Sequence, residues 1–337
     1  MESRLRVYVG REKMLRELAE YVAGDSTTAC LVTGAAGSGK TAALARLVQL
    51  VQSATLDRTI ARPVVVAHFI GASSTSSSLR QLLRRLCLVL TAEFGLDEDV
   101  PTGSDGLSAH FQGLLARIPA DRRTVLVLDA LDRLDETSDA QSVSWLPEKL
   151  PAHVKIIASC TDNGGDSERI LLAFASRPAH RMPVPPLEDD ERRRILRAVP
   201  SLWAKTLDDV QVDLLLANPA TANPLFLLVA LEELRGFGSF EELDWRIATF
   251  PRPVAQPSRM SNWFARARQA ADAASERPKR QRQLQRLERI ESALATVRPS
   301  EDPVAGVFRQ VIDRLESSCD ARLTGKVLSF LASPRKA

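Results

Sequence analysis

The sequence predicts an α/β fold, with a doubly wound parallel sheet over residues 1–185 followed by a small all-helical domain and a helical C-terminal tail. Two observations predict this division. Up to residue 185 short apolar runs alternate with segments of helical periodicity, and after it only helical patterns remain. Runs that are apolar throughout are typical of strands buried on both faces, and such strands form parallel sheets covered by helices.

Five strands are expected in the first domain. Four are nearly continuous apolar runs and the fifth is shorter: "CLVT" (30–33), "VVVAHF" (64–69), "TVLVLD" (124–129), "VKIIASC" (154–160) and "HRMPV" (180–184). Helical patterns separate them at 41–52, 78–94 and 106–117. The resulting β-α-β-α order is that of a doubly wound domain.

Residues 186–250 are expected to form the small helical domain. Its first segment, "LEDDERRRILRAV" (187–199), begins with acids and continues with apolar residues at helical spacing, which suits a helix start. Three further helical patterns follow, in "DDVQVDLLLAN", "NPLFLLVALEELRGFG" and "SFEELDWRIATF". The glycines that end the second of these are typical of a helix C-terminus.

Residues 251–303 read as a basic insertion or linker flanked by prolines, and 304–337 as a last helical segment. From 251 to 337 the chain has 17 Lys and Arg against 9 Asp and Glu, whereas the rest has 28 against 33. The basic character therefore belongs to the C-terminal quarter. Within it, apolar residues at helical spacing predict one buried stripe, formed by Leu284, Leu287, Ile290, Leu294 and Val297.

Composition excludes several classes of protein. No run of 18 or more apolar residues occurs, and the N-terminus has no apolar core of a secretory signal, so neither a membrane span nor secretion is expected. Four dispersed cysteines read as reduced thiols, which predicts a cytoplasmic location. Four dispersed histidines show no metal-ligand spacing.

A glycine-rich turn joins the first predicted strand to the first predicted helix, in "CLVTGAAGSGKTAALARLVQLV" (30–51). It fits the pattern G-x-x-x-x-G-K-[ST], which chance should produce in roughly one chain per hundred of this size. Backbone amides can surround a phosphate only where the loop turns tightly and no side chain intrudes, which glycine allows. Lys40 is expected to reach the β- and γ-phosphates of a nucleotide, and the Thr41 hydroxyl to bind Mg²⁺. The predicted phosphate-binding residues are Gly34, Gly37, Ser38, Gly39, Lys40, Thr41 and Ala42.

Two acids follow the third predicted strand, in "TVLVLDALDRLDE". Asp129 ends the apolar run and is expected at the strand's carboxyl edge, where it would hold the metal. Asp132 lies three residues further on. There a carboxylate could orient or deprotonate the attacking water, and a solvated turn residue would fit equally well. The sequence thus predicts Lys40, Asp129 and Asp132 as the catalytic residues.

Four stretches, taken in order, resemble the P-loop NTPase module of the STAND class, the signal-transduction ATPases that include NACHT and NB-ARC proteins. They are "YVGREKMLREL" (8–18), "GAAGSGKT" (34–41), "VLVLDALDRLDE" (125–136) and "ANPLFLLVALEEL" (222–234). "HFIGASSTSSSLRQLLRRLC" and "PPLEDDERRRILR" are most similar to the nephrocystin-type and telomerase-associated-protein-type branch. The resemblance covers about residues 8–250.

The resemblance implies further site residues. Val9, Gly10 and Arg11 would lie near adenine, and Pro224 would cap the base from the helical lid. Alone, "VGRE" would be an exposed turn before a helix. Asn223 and Pro224 also suit a helix N-terminus, and both interpretations can hold together.

The chain departs from the class in three places. Arg133 stands where many NACHT chains have an acid. Where relatives place an arginine that senses the γ-phosphate, this chain has Ser159, Cys160 and Thr161, of which Ser159 or Thr161 could donate a hydrogen bond. Residues 254–300 interrupt a run that is otherwise continuous, and relatives continue beyond this chain's end, so 304–337 is expected to be truncated.

The function implied is an ATP-binding, slowly hydrolysing switch module that uses ATP or ADP with Mg²⁺ and forms homo-oligomers when ATP binds. A nucleic-acid-associated AAA-type ATPase is an alternative, because residues 252–289 hold 10 Lys and Arg against 3 Asp and Glu. Another is a nucleotide-locked scaffold without turnover. Nucleic acid is not expected as a partner, no segment is expected to span a membrane, and no effector or sensor partner is identified.

Overall fold

The computed structural model describes residues 10–53, 63–72, 76–96, 99–135, 138–162, 165–201, 206–237, 239–254, 258–274 and 276–318. The chain divides between Pro185 and Pro186 into two compact units. Val9, one of the residues predicted near adenine, lies outside the described residues. Across these ranges no helix combines the length and apolar character needed to cross a membrane.

The first unit contains a five-stranded parallel sheet with the order β2-β3-β4-β1-β5. The strands are β1 (Cys30–Gly34), β2 (Val64–Phe69), β3 (Thr124–Asp129), β4 (Val154–Thr161) and β5 (His180–Pro183). Each matches a predicted apolar run to within one residue at either end. The expectation of an α/β fold with a parallel sheet is confirmed.

Helices cover both faces of this sheet. They are α1 (Glu12–Ala23), α2 (Lys40–Gln52), α3 (Leu79–Phe94), α4 (Ser104–Arg117), α5 (Ser138–Ser142) and α6 (Gly165–Ala175). Alternate residues of β3 show why two layers are needed. Val125 and Val127 belong to one hydrophobic core with α1 and α2, whereas Leu126 and Leu128 belong to a second core with α3 and α4. All four are fully buried, as expected for a strand that points side chains to opposite faces in turn.

The register of the central strands brings their carboxyl ends to one edge of the sheet. Asp129 at the end of β3 is opposite Phe69 of β2, and Gly34 at the end of β1 is opposite Thr161 of β4. Because β4 lies between β1 and β3, its last residues are neighbours of both. Residues that follow these three strands are therefore placed together, as in other open parallel sheets.

The second unit is helical. Its helices are α7 (Asp189–Ser201), α8 (Asp209–Ala217), α9 (Pro224–Leu234), α10 (Phe240–Thr249), α11 (Ser258–Asp272), α12 (Arg277–Ala295) and α13 (Pro303–Ser318). Local caps fix three of the helix starts. Asp208 and Ser239 form capping boxes at α8 and α10, and the Asn223 side chain accepts from the amides of Leu225 and Phe226 at α9. Pro224 is the first residue of α9, so Asn223 and Pro224 do form a helix N-terminus, as their residue types suggest.

The segment 251–303, expected as an insertion or linker, folds as part of this unit. Its two helices pack against α8 and α10, and the predicted stripe is buried at Leu287, Ile290 and Leu294. The guanidinium of Arg286 joins α12 to the rest of the unit through the carboxylates of Asp208 and Asp244. The two helices of this segment therefore pack as part of the second unit, and its description as an insertion or linker stays a prediction.

The two ends of this segment lie side by side. Pro253 and Ser300 form an isolated parallel bridge, and the Ser300 amide donates to the Arg252 carbonyl at 2.7 Å. An inserted element needs adjacent ends, because the chain that it interrupts must continue from one to the other. The interpretation of 254–300 as an insertion is consistent with this geometry and stays a prediction.

Candidate functional site

The glycine loop connects the end of β1 to the start of α2, as the sequence predicts. Gly37 and Gly39 have φ values of 76° and 94°, a region that side chains other than glycine rarely adopt. At Gly34 close packing excludes a side chain, because an added Cβ would lie 2.9 Å from the Ser38 Oγ and 3.1 Å from the Val184 Cβ. The loop thus requires glycine at these three positions for two different physical reasons.

Lys40 is the first residue of α2, and its side chain bends back over the loop. The Nζ donates to the carbonyls of Gly34 at 2.5 Å and Ala35 at 3.1 Å. Burial lowers the pKa of Lys40, and the nearby charges of Asp132 and Asp162 oppose that shift. The ammonium group is therefore held at the carboxyl edge of the sheet, among carboxylates and at a helix N-terminus, which also favours anions.

Asp129 ends β3 and is almost completely buried, at 3% exposure. Its Oδ1 accepts a hydrogen bond of 2.6 Å from the Ser159 hydroxyl, and the Ser159 Oγ in turn accepts from the Ala130 amide at 2.8 Å. Ala130 has a φ of 62°, so the chain turns sharply directly after the acid. A buried carboxylate needs donors of this kind, and Ser159 on the neighbouring strand supplies one.

Asp132 lies in a short 3-10 turn, Leu131–Arg133, directly after β3. Both of its carboxylate oxygens accept from Thr161 at the end of β4. The Thr161 amide donates to Oδ1 at 3.2 Å, and the Thr161 hydroxyl donates to Oδ2. Asp132 is therefore a carboxylate in a defined orientation and not only a solvated turn residue. Its charge lies close enough to Lys40 to oppose the lowering of the pKa of that ammonium group by burial.

Ser159 and Thr161 have a function that the sequence indicated only in part. The sequence suggests a hydrogen bond from Ser159 or Thr161 toward phosphate, whereas in the structure Ser159 donates to Asp129 at the end of β3 and Thr161 donates to Asp132 in the turn after it. They are two residues apart on one strand, so their side chains point to the same face. That spacing, next to a strand that ends in Asp129, is the signal from which the pairing could have been predicted.

The "VGRE" stretch reaches the same loop from the N-terminal side. Gly10 and Arg11 both have left-handed backbone angles, with φ values of 93° and 61°, and α1 begins directly after them. The Arg11 guanidinium donates to the carbonyls of Ser38 at 2.8 Å and Pro185 at 2.6 Å. Proximity of Gly10 and Arg11 to adenine stays a prediction. What the structure shows is a side chain that contacts the glycine loop.

The remaining predicted residues occupy two places. Thr41 and Ala42 lie in the first turn of α2, directly after Lys40. Pro224 lies in the second unit, at the start of α9, and its contact with a nucleotide base stays a prediction. The structure thus brings the loop, Lys40, Thr41 and both acids together in the first unit.

These residues fit a nucleotide with a bound magnesium ion. The loop offers backbone amides without side chains, one ammonium group and the N-terminus of α2, which together suit a polyphosphate. Its Ser38 Oγ is buried without a hydrogen-bond partner in the structure. Oxygen ligands are those that Mg²⁺ prefers, and it commonly uses one or two protein ligands together with substrate phosphates. Thr41 and Asp129 are the residues that would hold the ion.

A parallel sheet, a glycine loop leading into a helix and a buried acid on a neighbouring strand define a P-loop NTPase. Residues 7–157 match the AAA ATPase domain family. Telomerase protein component 1 of Mus musculus is 30% identical over 230 residues, which cover 66% of this chain and 9% of that protein. NACHT domain- and WD repeat-containing protein 1 of Homo sapiens is 30% identical over 263 residues, or 74% of this chain and 16% of that protein. Nephrocystin-3 of Homo sapiens is 29% identical over 164 residues, or 45% of this chain and 11% of that protein.

These matches support a NACHT/STAND-like P-loop NTPase, with an AAA ATPase domain matched over residues 7–157. The resemblance seen in the sequence is confirmed. The chain spans less than a fifth of the length of these relatives, the largest share being 16%.

Proposed function

We propose that this chain is an ATP-binding, slowly hydrolysing STAND-type switch module for signalling or regulated assembly. One observation carries the proposal: the Lys40 ammonium and the carboxylates of Asp129 and Asp132 meet at one edge of the sheet, around a loop built for phosphate. Charge stabilisation and positioning are what phosphoryl transfer requires of a protein.

Each residue has a separate task in this proposal. Lys40 leaves the carbonyls of Gly34 and Ala35 and binds the β- and γ-phosphates. Thr41 and Asp129 hold Mg²⁺, which supplies positive charge to the phosphate oxygens when it is bound. Asp132 orients the attacking water. Because both oxygens of Asp132 accept from Thr161, the carboxylate is held in one orientation for this task.

The switch itself would follow from the nucleotide. Binding of ATP in place of ADP adds the γ-phosphate, whose contacts would favour one arrangement of the helical lid, including Pro224, over another. Assembly of several copies on ATP binding, and a cytoplasmic location, are parts of the same proposal. The resemblance of this chain's motifs to those of signal-transduction ATPases supports it.

Two variants test this function. Lys40→Ala should lose ATP binding, because the ammonium group is the main positive charge at the phosphates. Asp132→Asn should keep ATP binding and lose phosphate release, because the amide cannot accept a proton. A wild-type chain that bound ATP and released no phosphate would favour the nucleotide-locked scaffold. A Lys40→Ala chain that bound ATP as tightly as the wild type would refute the proposal.

The structure disfavours the nucleic-acid alternative at the segment that suggested it. Many arginines of α11 and α12 form ion pairs with carboxylates of the same unit, which neutralise much of their charge: Arg259, Arg268, Arg280, Arg286 and Arg289. Binding to a phosphate backbone would have to break these pairs. Salt-dependent retention on immobilised DNA or RNA would restore the alternative.

A further inference from the structure

We propose that Arg11 is a positioning residue for phosphate binding, and that its guanidinium group holds the glycine loop in the conformation that binds a polyphosphate. The proposal rests on the proposed function, because it concerns how the same site takes ATP. It assigns the arginine of the "VGRE" stretch to the phosphates and not to the base.

The first step is the contact itself. Arg11 is buried, at 6% exposure, and one arm of its guanidinium donates to the Ser38 carbonyl at 2.8 Å. Ser38 lies in the centre of the glycine loop, directly before Gly39. A planar guanidinium that donates to a carbonyl fixes both the distance and the direction of that carbonyl.

The second step follows from peptide geometry. The peptide bond between Ser38 and Gly39 is trans, because the described residues include no cis peptide. In a trans peptide the carbonyl and the next amide point in opposite directions within one plane. When Arg11 holds the Ser38 carbonyl, the Gly39 amide must therefore point away from Arg11. Gly39, with a φ of 94°, is the residue at which the loop turns into α2. Its amide is therefore one of the backbone N–H groups at the start of α2 that can bind an anion.

The third step is the anchor on the other side of the guanidinium. The second arm of Arg11 donates to the Pro185 carbonyl at 2.6 Å. Pro185 follows Val184, whose amide donates to the Thr33 carbonyl at 2.7 Å and so extends β5 along β1. The arginine thus connects the glycine loop to a point fixed on the sheet.

The last step concerns the backbone conformation that places the Arg11 side chain beside the loop. Gly10 and Arg11 are both left-handed, at φ values of 93° and 61°, and such a conformation costs an arginine on the order of 1 kcal/mol. Strain of this kind persists only where surrounding contacts determine it. The Arg11 carbonyl accepts from the Leu15 amide at 3.0 Å, so the same residue starts α1 and contacts the loop.

The experiment separates a phosphate role from a base role. Displacement of a fluorescent ATP analogue by ATP, ADP, tripolyphosphate and adenosine is measured for the wild type and for Arg11→Lys. Lysine keeps the charge and loses the fork that contacts two carbonyls at once. We expect affinity for ATP, ADP and tripolyphosphate to fall by about tenfold, the size typical of a lost hydrogen bond to a charged group, with adenosine changed by less than about twofold.

Arg123→Lys is the matched control. Arg123 is also a largely buried arginine that donates to backbone carbonyls, those of Ala23, Gly24 and Ala152, but at the amino edge of the sheet. It should leave all four affinities unchanged. If Arg11→Lys does not fold, Gly10→Ala disfavours the same left-handed turn and should show the same selective loss of affinity for phosphate-bearing ligands.

Three results would overturn the proposal. Equal weakening of adenosine and ATP would place Arg11 on the base. Unchanged affinity for every ligand would leave the arginine without a role in binding. Equal losses in Arg11→Lys and Arg123→Lys would indicate a general effect of destabilisation. Failure of the wild type to bind ATP at all would refute the proposed function together with this inference, and the wild-type titration identifies that case.

Discussion

Replacing Thr161 by valine tests how Asp132, the proposed catalytic carboxylate, is held. The change removes the hydroxyl that donates to Asp132 Oδ2 and keeps the size and branching of the side chain, which suits a strand. A hydrogen bond to a charged group contributes about 1.5–3 kcal/mol. The Thr161 amide would still donate to Oδ1 at 3.2 Å, so the lower end of that range applies. If that energy is lost from the transition state, the rate of ATP hydrolysis falls by about tenfold.

The assay is phosphate release at saturating ATP, with the dissociation constant of ATP measured separately. Thr161→Val should lower kcat and leave the dissociation constant within about twofold, and Thr161→Ser should recover most of the rate. Thr124→Val is the control, since Thr124 is a buried strand threonine whose hydroxyl donates to the Arg122 carbonyl at the opposite edge of the sheet. An unchanged kcat in Thr161→Val, or an equal fall in Thr124→Val, would refute the reasoning.

Three further predictions concern the loop, a buried lysine and the helical unit. Gly34→Ala should weaken ATP binding by about tenfold or more in titration calorimetry, because its Cβ would lie 2.9 Å from the Ser38 Oγ and displace the loop. Burial lowers the pKa of Lys155 from 10.5 to about 8. Between pH 8 and pH 10.5 the unfolded chain therefore binds more protons than the folded chain, and the free energy of unfolding should rise with pH over this range. Denaturant titrations should show that Lys155→Met removes this rise, and a Met variant with the wild-type slope would contradict it. Arg286→Gln should destabilise the second unit by about 2–3 kcal/mol in thermal melts, since it removes the guanidinium that faces the buried Asp244 and leaves that carboxylate its hydrogen bond from Gln211. Arg280→Gln, at an exposed ion pair, should cost less than about 1 kcal/mol in the same melts.

The sheet and the phosphate loop could be predicted because their signals are local. Four of the five strands are nearly continuous apolar runs, and the glycine loop is one short motif at the end of the first run. Asp129 could be placed at the carboxyl edge for the same reason, since the edge of a strand is visible where an apolar run stops. These elements need no knowledge of which segments meet in space.

The remaining features depend on contacts between distant segments. The Arg11–Ser38 contact joins residues 27 positions apart, and the Thr161–Asp132 contact joins residues 29 apart. The integration of α12 depends on Arg286 meeting Asp208, 78 residues away. A basic, proline-flanked segment has the same composition whether its arginines face solvent or pair with acids. Only the fold shows whether these arginines face solvent or pair with acids. For this reason the sequence alone suggests an insertion or linker.

The strand order explains why Ser159 and Thr161 stand where they do. Because β4 lies between β1 and β3, its end is the part of the sheet adjacent to both the glycine loop and the two acids. Directly after β4, the Asp162 amide donates to the Gly34 carbonyl at 3.3 Å, a carbonyl that Lys40 also contacts. An apolar side chain in place of Ser159 would remove the hydroxyl that donates to the buried Asp129, and a carboxylate there would repel it. A hydroxyl donates to the acid and adds no charge beside Lys40, so the strand order itself favours serine and threonine at these two positions.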